Sequence, residues 1–375
     1  MNPFAFGVTS NNRSFTNRSK ELEILRNNFY NGINCTLVSP RRWGKSSLVL
    51  ESANRIQKEQ KGIRFCFIDM FSIENEDDFY QRLATQLLKL STSKTQEILS
   101  QAGQYFKKLT PKLSLGLSPE NNISISFDWQ ELQQHKSEVL DLAQKIAEKK
   151  EIRIVVCIDE FQSLSRFDDP LQFQRNLRAV WQHHTQVSYC LYGSKRSMME
   201  QIFNNRKMPF YRFGDFIPLK KIAEEHWLPF IENGFKMHKK TIEQTQIKWI
   251  VAQMKCHPYY VQQLSYTVWN TTVDKVSDNS LEDSLQRIIE HNSWMYEREV
   301  ENLSRTQLNL IKAILHGASQ LNSKATMLKY NLGTSATVTK NKKILEANDV
   351  IMKERDNFFI VDPVFELWAK DRFNV

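Results

Sequence analysis

Cysteine is scarce in this chain: five in 375 residues, Cys35, Cys66, Cys157, Cys190 and Cys256, and no two form a C-x-x-C pair. That argues against a zinc framework and against a disulfide-stapled scaffold. Four of the five sit inside apolar strand-like runs, where a thiol serves as a small core residue in a reducing compartment. Long hydrophobic runs are also missing. None approaches the roughly 18 residues that a membrane helix requires, so no membrane span and no membrane partner is expected. The opening "MNPFAFGVTSNNRSF" has no basic segment followed by an apolar core. It does not read as a secretory leader, and the expected location is cytoplasmic. There is no repeat of fixed period and no low-complexity tract.

What is present suffices for two or three domains: 41% of the residues are hydrophobic, and the formal charge is +9. Three textures divide the chain. In residues 1–219, short β-rich runs alternate with helical stretches. The runs are "CTLVS" (35–39), "IRFCFIDM" (63–70), "IRIVVCID" (152–159), "VSYCLYG" (187–193) and "GDFIPL" (214–219). Continuous apolar strands alternating with helices predict an α/β domain whose parallel sheet is covered on both faces. One segment, "LSLGLSPENNISISF" (113–127), alternates polar and apolar residues around a Ser-Pro-Glu-Asn-Asn turn. It predicts an antiparallel hairpin inserted between the second and third strands. Residues 220–300 read as an all-helical domain. Residues 301–375 read as a helix, a helix-turn-helix and a terminal hairpin, the pattern of a winged helix.

The stretch "VSPRRWGKSSL" (38–48) nearly fits G-x-x-x-x-G-K-[ST], with Ser39 where the first glycine belongs. Pro40 pushes Ser39 into extended backbone, so the loop can enter its turn without a left-handed residue there. Gly44 would let the backbone approach phosphate closely. Lys45 would bring charge to the β- and γ-phosphates, and the Ser46 hydroxyl would ligate Mg²⁺. The loop Pro40, Arg41, Arg42, Trp43, Gly44, Lys45, Ser46, Ser47 is therefore the candidate ATP-binding element. Arg41 and Arg42 either clamp phosphate or face an acidic partner surface. Trp43, on the phosphate side, reads as packing against the fold edge. In "IVVCIDEF", a buried strand ends on Asp159-Glu160. A carboxylate there is costly without a task or a partner. Asp159 would hold the water shell of Mg²⁺, and Glu160 would activate the attacking water. Ser194, in "YGSKRS", either bonds the γ-phosphate or the water, or caps the helix at 196–203.

Together these residues resemble the archaeal-type ATPases of the AAA+ class, a clade close to the signal-transducing STAND NTPases. The resemblance runs over nearly the whole chain. It rests on "NPFAFG", "FTNRSKELEIL" (15–25), "SPRRWGKSSL", "CIDEFQ" (157–162), "YGSKRSMMEQIF" (192–203), "PFYRF" (209–213), "HPYYVQQL" (257–264) and "VDPVFELW" (361–368). It implies a P-loop NTPase sheet of order 5-1-4-3-2, a helical lid and a winged helix. It also implies that Phe15, Arg18 and Glu21 lie near the adenine; an i,i+3 surface pair is the alternative for Arg18 and Glu21. Arg212 falls where such proteins place an arginine near the γ-phosphate, in cis or from a neighbour, and a solvated strand-end arginine is the alternative. His257-Pro258 resembles a lid motif that senses nucleotide state, or is simply a helix start.

Charge is lopsided. Seven basic residues and no Asp or Glu lie between Leu303 and Lys343. The third winged-helix helix would offer Thr337, Lys340, Asn341 and Lys343 to a DNA groove. Recognition helices usually carry an aliphatic residue near position 342, and here it is Lys342. The expectation is a Mg²⁺-dependent ATPase, slow without a partner, acting as a nucleotide-driven switch. The alternatives are a switch with negligible hydrolysis and a nucleotide-regulated DNA-binding protein. A protein client or a second copy of the chain is the other partner class.

Overall fold

The computed structural model describes residues 2–8, 15–91, 103–106, 108–109, 112–115 and 123–375. Two compact units divide the chain: Ser19–Ser39 with Leu48–Leu219, and Met1–Arg18 with Pro40–Ser47 and Lys220–Val375.

The first unit is a sheet between helices. Its elements run α1 (Ser19–Asn31), β1 (Cys35–Val38), α2 (Lys45–Glu59), β2 (Ile63–Asp69), α3 (Glu76–Ser91), β3 (Lys112–Leu115) and β4 (Ile123–Ser126). They continue with α4 (Trp129–Leu140), α5 (Leu142–Lys150), β5 (Arg153–Asp159), α6 (Pro170–Trp181), β6 (Val187–Gly193), α7 (Arg196–Asn204) and β7 (Asp215–Pro218). The first turn of α2, through Ser47, groups with the second unit. Five strands form one parallel sheet of order β2-β5-β6-β1-β7. Numbered by sequence among the core strands, this is the expected 5-1-4-3-2. Every residue of β1 and β6 is buried, as apolar strands covered on both faces require. The helices face the sheet with apolar stripes such as Phe79, Leu83 and Leu87 of α3, whose first turn carries Glu76, Asp77 and Asp78 against the helix dipole. The three central strands place Cys35 beside Cys190, and Cys190 beside Cys157, as buried free thiols.

The expected hairpin is present as β3 and β4, antiparallel, with Lys112 opposite Ser126 and Leu115 opposite Ile123. Its Ser-Pro-Glu-Asn-Asn turn lies outside the described residues.

The second unit is built on one apolar core that runs from Trp227 and Leu264 through Ile288 to Leu310, Val338 and Val364. It contains α8 (Glu224–Lys236), α9 (Gln244–Gln253), α10 (Pro258–Thr271) and α11 (Asp278–Glu301), joined by one isolated bridge, Thr241 to Lys275. The N-terminal "NPFAFG" packs on these helices. Phe4 sits against Phe230 and Phe235, and a Cβ on Gly234 would come within 2.6 Å of its ring. The winged helix follows as α12 (Arg305–Leu315), α13 (Lys324–Lys329), α14 (Ser335–Ala347), β8 (Ile351–Glu354) and β9 (Asn357–Ile360). A final helix, α15 (Pro363–Phe373), extends beyond the expected terminal hairpin; Asp362 caps it and Pro363 fits its first turn.

Two expectations for α14 are corrected. Its inward face is Val338, Asn341 and Leu345, so the core position is 341 and not 342. Asn341 is 5% exposed and donates to Thr306 Oγ1 at 3.0 Å, which removes it from any groove-reading face. Lys342 lies at the edge of the core, bonded to Asn322 Oδ1 and 5.2 Å from the Phe358 ring centre. Lys340 and Lys343 remain exposed, and Thr337 is half-buried beside the capping Thr334 hydroxyl, 3.0 Å away.

Candidate active site

The parallel register brings the strand ends of the first unit level. Asp69 pairs with Asp159, and Val38 pairs with both Gly193 and Pro218. This is the carboxyl edge of an open α/β sheet, where such sheets bind ligands. Asp159 ends β5, and its Oδ1 accepts the Glu160 backbone N–H at 2.8 Å. Glu160 then takes a left-handed conformation, φ 49°, and a 3₁₀ turn over Phe161–Arg166 follows. That step turns Phe161 inward against Phe203 and Phe210 and leaves the Glu160 carboxylate at the edge.

Ser194 and Glu160 are brought together. Ser194 is completely buried, and its hydroxyl donates to Glu160 Oε2 at 2.8 Å. It makes no cap on the helix that follows, whose N-cap is Lys195, so the capping alternative falls away. Asp69, the other carboxylate at this edge, caps its own 3₁₀ turn by accepting Phe71 N–H at 2.8 Å. Gln162 is an addition that sequence reasoning missed: its amide also donates to Glu160 Oε2.

Arg212 is not at this edge of its own chain. It lies three residues before β7, whose first residue Asp215 pairs with Cys35 at the opposite end of the sheet. There it is exposed, left-handed at φ 51°, and stacked over Tyr211 at 5.4 Å. The in-cis role is therefore corrected: a strand-end position of this kind cannot reach Glu160 along the length of β7.

The loop belongs to the second unit. Ser39 is not among the residues with positive φ; the left-handed steps fall on Arg42 (φ 63°) and Gly44 (φ 89°). A Cβ on Gly44 would meet nothing within 4 Å, but its φ is strained for an L side chain. The Lys45 ammonium, on a residue only 5% exposed, donates to the Pro40 carbonyl at 3.0 Å, so the loop folds around its own lysine. Ser46 and Ser47 are half-buried in the first turn of α2. Trp43 is 5% exposed, edge-on to His257 at 6.2 Å, with Lys221 over its ring.

Arg18 is 4% exposed, and donates to the Trp43 carbonyl at 3.0 Å and the Lys220 carbonyl at 2.6 Å. That rules out a surface pair for Arg18 and makes it a staple on the loop. The two loop arginines are engaged by protein groups. Arg41 lies 3.8 Å from Asp349. Arg42 donates to Tyr260 Oη at 3.1 Å and stacks over Tyr259 at 4.7 Å. Tyr260 in turn donates to Asp362, which also accepts from Tyr296 at 3.2 Å. Burial pushes the Asp362 carboxyl above its ordinary range, against these donors and the Arg42 charge. His257, between Lys221 and Arg42, is driven down to about 3, first by burial and then by those two cations. No sequence pattern links positions 42, 260, 296 and 362; only the fold assembles them.

Comparison with known proteins supplies the wider frame. A family described as "ATPase domain predominantly from Archaea" matches residues 15–264, and a probable winged helix domain matches residues 294–371. Among solved structures, a Walker-type ATPase of Pyrococcus abyssi is similar over 96% of this chain and 98% of its own, at 17% identity and TM-score 0.70. The Aeropyrum pernix ORC2 protein, in ADPNP–ADP complexes, covers 96% and 95% at 13% identity and TM-score 0.57. The Aeropyrum pernix ORC1 protein in complex with DNA covers 95% and 93% at 10% identity and TM-score 0.50. No protein with a curated description matches the sequence.

Proposed function

We propose, from the premise that this chain belongs to the family of ATPase domains predominantly from Archaea, that it binds ATP with Mg²⁺, hydrolyses it slowly, and uses the nucleotide as a switch. The observation that carries the hydrolytic part is the Glu160 carboxylate, fixed by the Ser194 hydroxyl at 2.8 Å. It stands at a strand tip two strands from β1, and the loop leaves β1 two residues after its end.

The donor set fits magnesium triphosphate. Ser46 and Asp159 are hard oxygen ligands of the kind Mg²⁺ takes. The loop is rich in cations, and its backbone is open at Gly44. Lys45 and the backbone N–H groups at the start of α2 would hold the phosphates. Ser46 on the loop and Asp159 at the strand end are each candidate ligands for the metal, which would supply charge neutralisation at the transferring phosphoryl group. Glu160 would take the proton of the attacking water. The new bond is water oxygen to γ-phosphorus; the bond that breaks is γ-phosphorus to the bridging oxygen, whose electron pair leaves with ADP. The expected test result is at least a tenfold lower rate of phosphate release in Glu160→Gln, in the range typical for loss of a general base. Equal rates in variant and wild type would remove Glu160 from the chemistry.

A second reading is favoured by one observation. The exposed Lys340 and Lys343 of α14 lie in a stretch without acidic residues. On that reading the winged helix binds duplex DNA and the nucleotide regulates it.

A further inference from the structure

We propose that Gln162 is a positioning residue for hydrolysis, and that Gly193 is glycine to make room for it; the inference rests on Glu160 being the base. Gln162 is 3% exposed and stands two residues after Glu160. The left-handed Glu160 followed by a 3₁₀ turn doubles the chain back, so the two side chains meet. The Gln162 amide N–H and the Ser194 hydroxyl both donate to the same oxygen, Glu160 Oε2. Two donors on one oxygen fix the carboxylate plane and leave Oε1 as the oxygen that takes the proton.

The orientation of the amide is set by charge. Reversed, it would aim its carbonyl at the Glu160 carboxylate. In the orientation observed, Gln162 Oε1 is buried and has no hydrogen-bond partner among the described residues. A methionine of similar size would fill the same volume without stranding a polar atom. A purely packing role therefore does not account for glutamine here, whereas a donor aimed at Glu160 does. Gly193 completes the arrangement: a Cβ there would lie 1.9 Å from Gln162 Oε1 and 2.9 Å from Met199 Sδ. Any side chain at 193 would expel the amide from Glu160.

The test uses the full chain with Mg²⁺ and ATP. Gln162→Met keeps the volume and removes the donor. Expected is a fall of about tenfold or more in kcat, as for a mispositioned reacting group, with KM for ATP changed less than about twofold. Gly193→Ala should reproduce the effect, and thermal melting reports whether each variant is folded. In a Glu160→Gln background, Gln162→Met should cost nothing further, because the carboxylate it positions is gone. A merely structural glutamine would lower activity by the same factor in both backgrounds, and that result overturns the inference. So does a wild-type kcat in folded Gln162→Met while Glu160→Gln is slow. A wild-type rate in Glu160→Gln itself overturns the parent reading as well, so the two failures are distinguishable.

Discussion

At His257 the chain buries an imidazole among cations. The ring is 2% exposed, its edge meets Tyr260 at 4.8 Å, and its Nδ1 has no partner among the described residues. Burial, Lys221 and Arg42 all oppose the charged form, which lowers its pKa from 6.5 to about 3. The folded ring is therefore neutral where the unfolded one protonates. Below about pH 6.5 the unfolded chain binds more protons, so this stability is present above 6.5 and is lost as pH falls towards 3. The slope is ~1.4 kcal/mol per pH unit for one proton. His257→Phe should flatten the decline of the urea midpoint between those limits; an unchanged decline would place the acid sensitivity elsewhere. From the sequence, His257 was a helix start or a lid motif. Its burial, and the cations beside it, come from residues 36 and 215 positions away.

Among the elements, the final helix shows most plainly how local and distant residues combine. Asp362 Oδ1 accepts the Val364 and Phe365 N–H groups at 2.8 and 3.0 Å, a local cap. Its Oδ2 accepts Tyr260 and Tyr296, from two other helices. Asp362→Ala removes the cap and strands two buried phenols, which should cost about 3 kcal/mol of stability. Asp362→Asn, which keeps an acceptor, should cost about half of that. Urea denaturation measures both, and equal stability of Asp362→Ala and wild type would refute the network. The same contrast explains what could be read in advance. The central strands were legible because burial on both faces demands unbroken apolar runs, and β1 and β6 are buried throughout. The helix α14 was legible, but its phase was not. Asn341 looks polar and therefore outward, yet a hydrogen bond to Thr306 satisfies it inside.

At the scale of the molecule, the net charge of +9 is not spread evenly. If the second reading holds, exposed Lys340 and Lys343 meet DNA phosphate. Duplex retention of the whole protein should then weaken steeply with salt, and Lys340→Glu/Lys343→Glu should weaken it and reduce the salt slope by about two. Salt-insensitive or absent retention in wild type would leave the switch without a DNA output.

By itself the sequence determined the alternation of apolar strands and helices, with a Gly-Lys-Ser run after the first strand and an Asp-Glu pair at the end of another. Those features are local, because each depends on the burial or backbone freedom of a few consecutive residues. It also indicated why Ser39 could replace a glycine, since Pro40 follows it. Tertiary structure alone decided the partners: Ser194 and Gln162 on one oxygen of Glu160, Arg42 on Tyr260, Arg18 on the Trp43 carbonyl, and Arg212 at the far end of the sheet from Glu160. Apart from Gln162, two residues from Glu160, each depends on contacts closed across the fold, and chain spacing carries no information about which distant donor will reach a given oxygen.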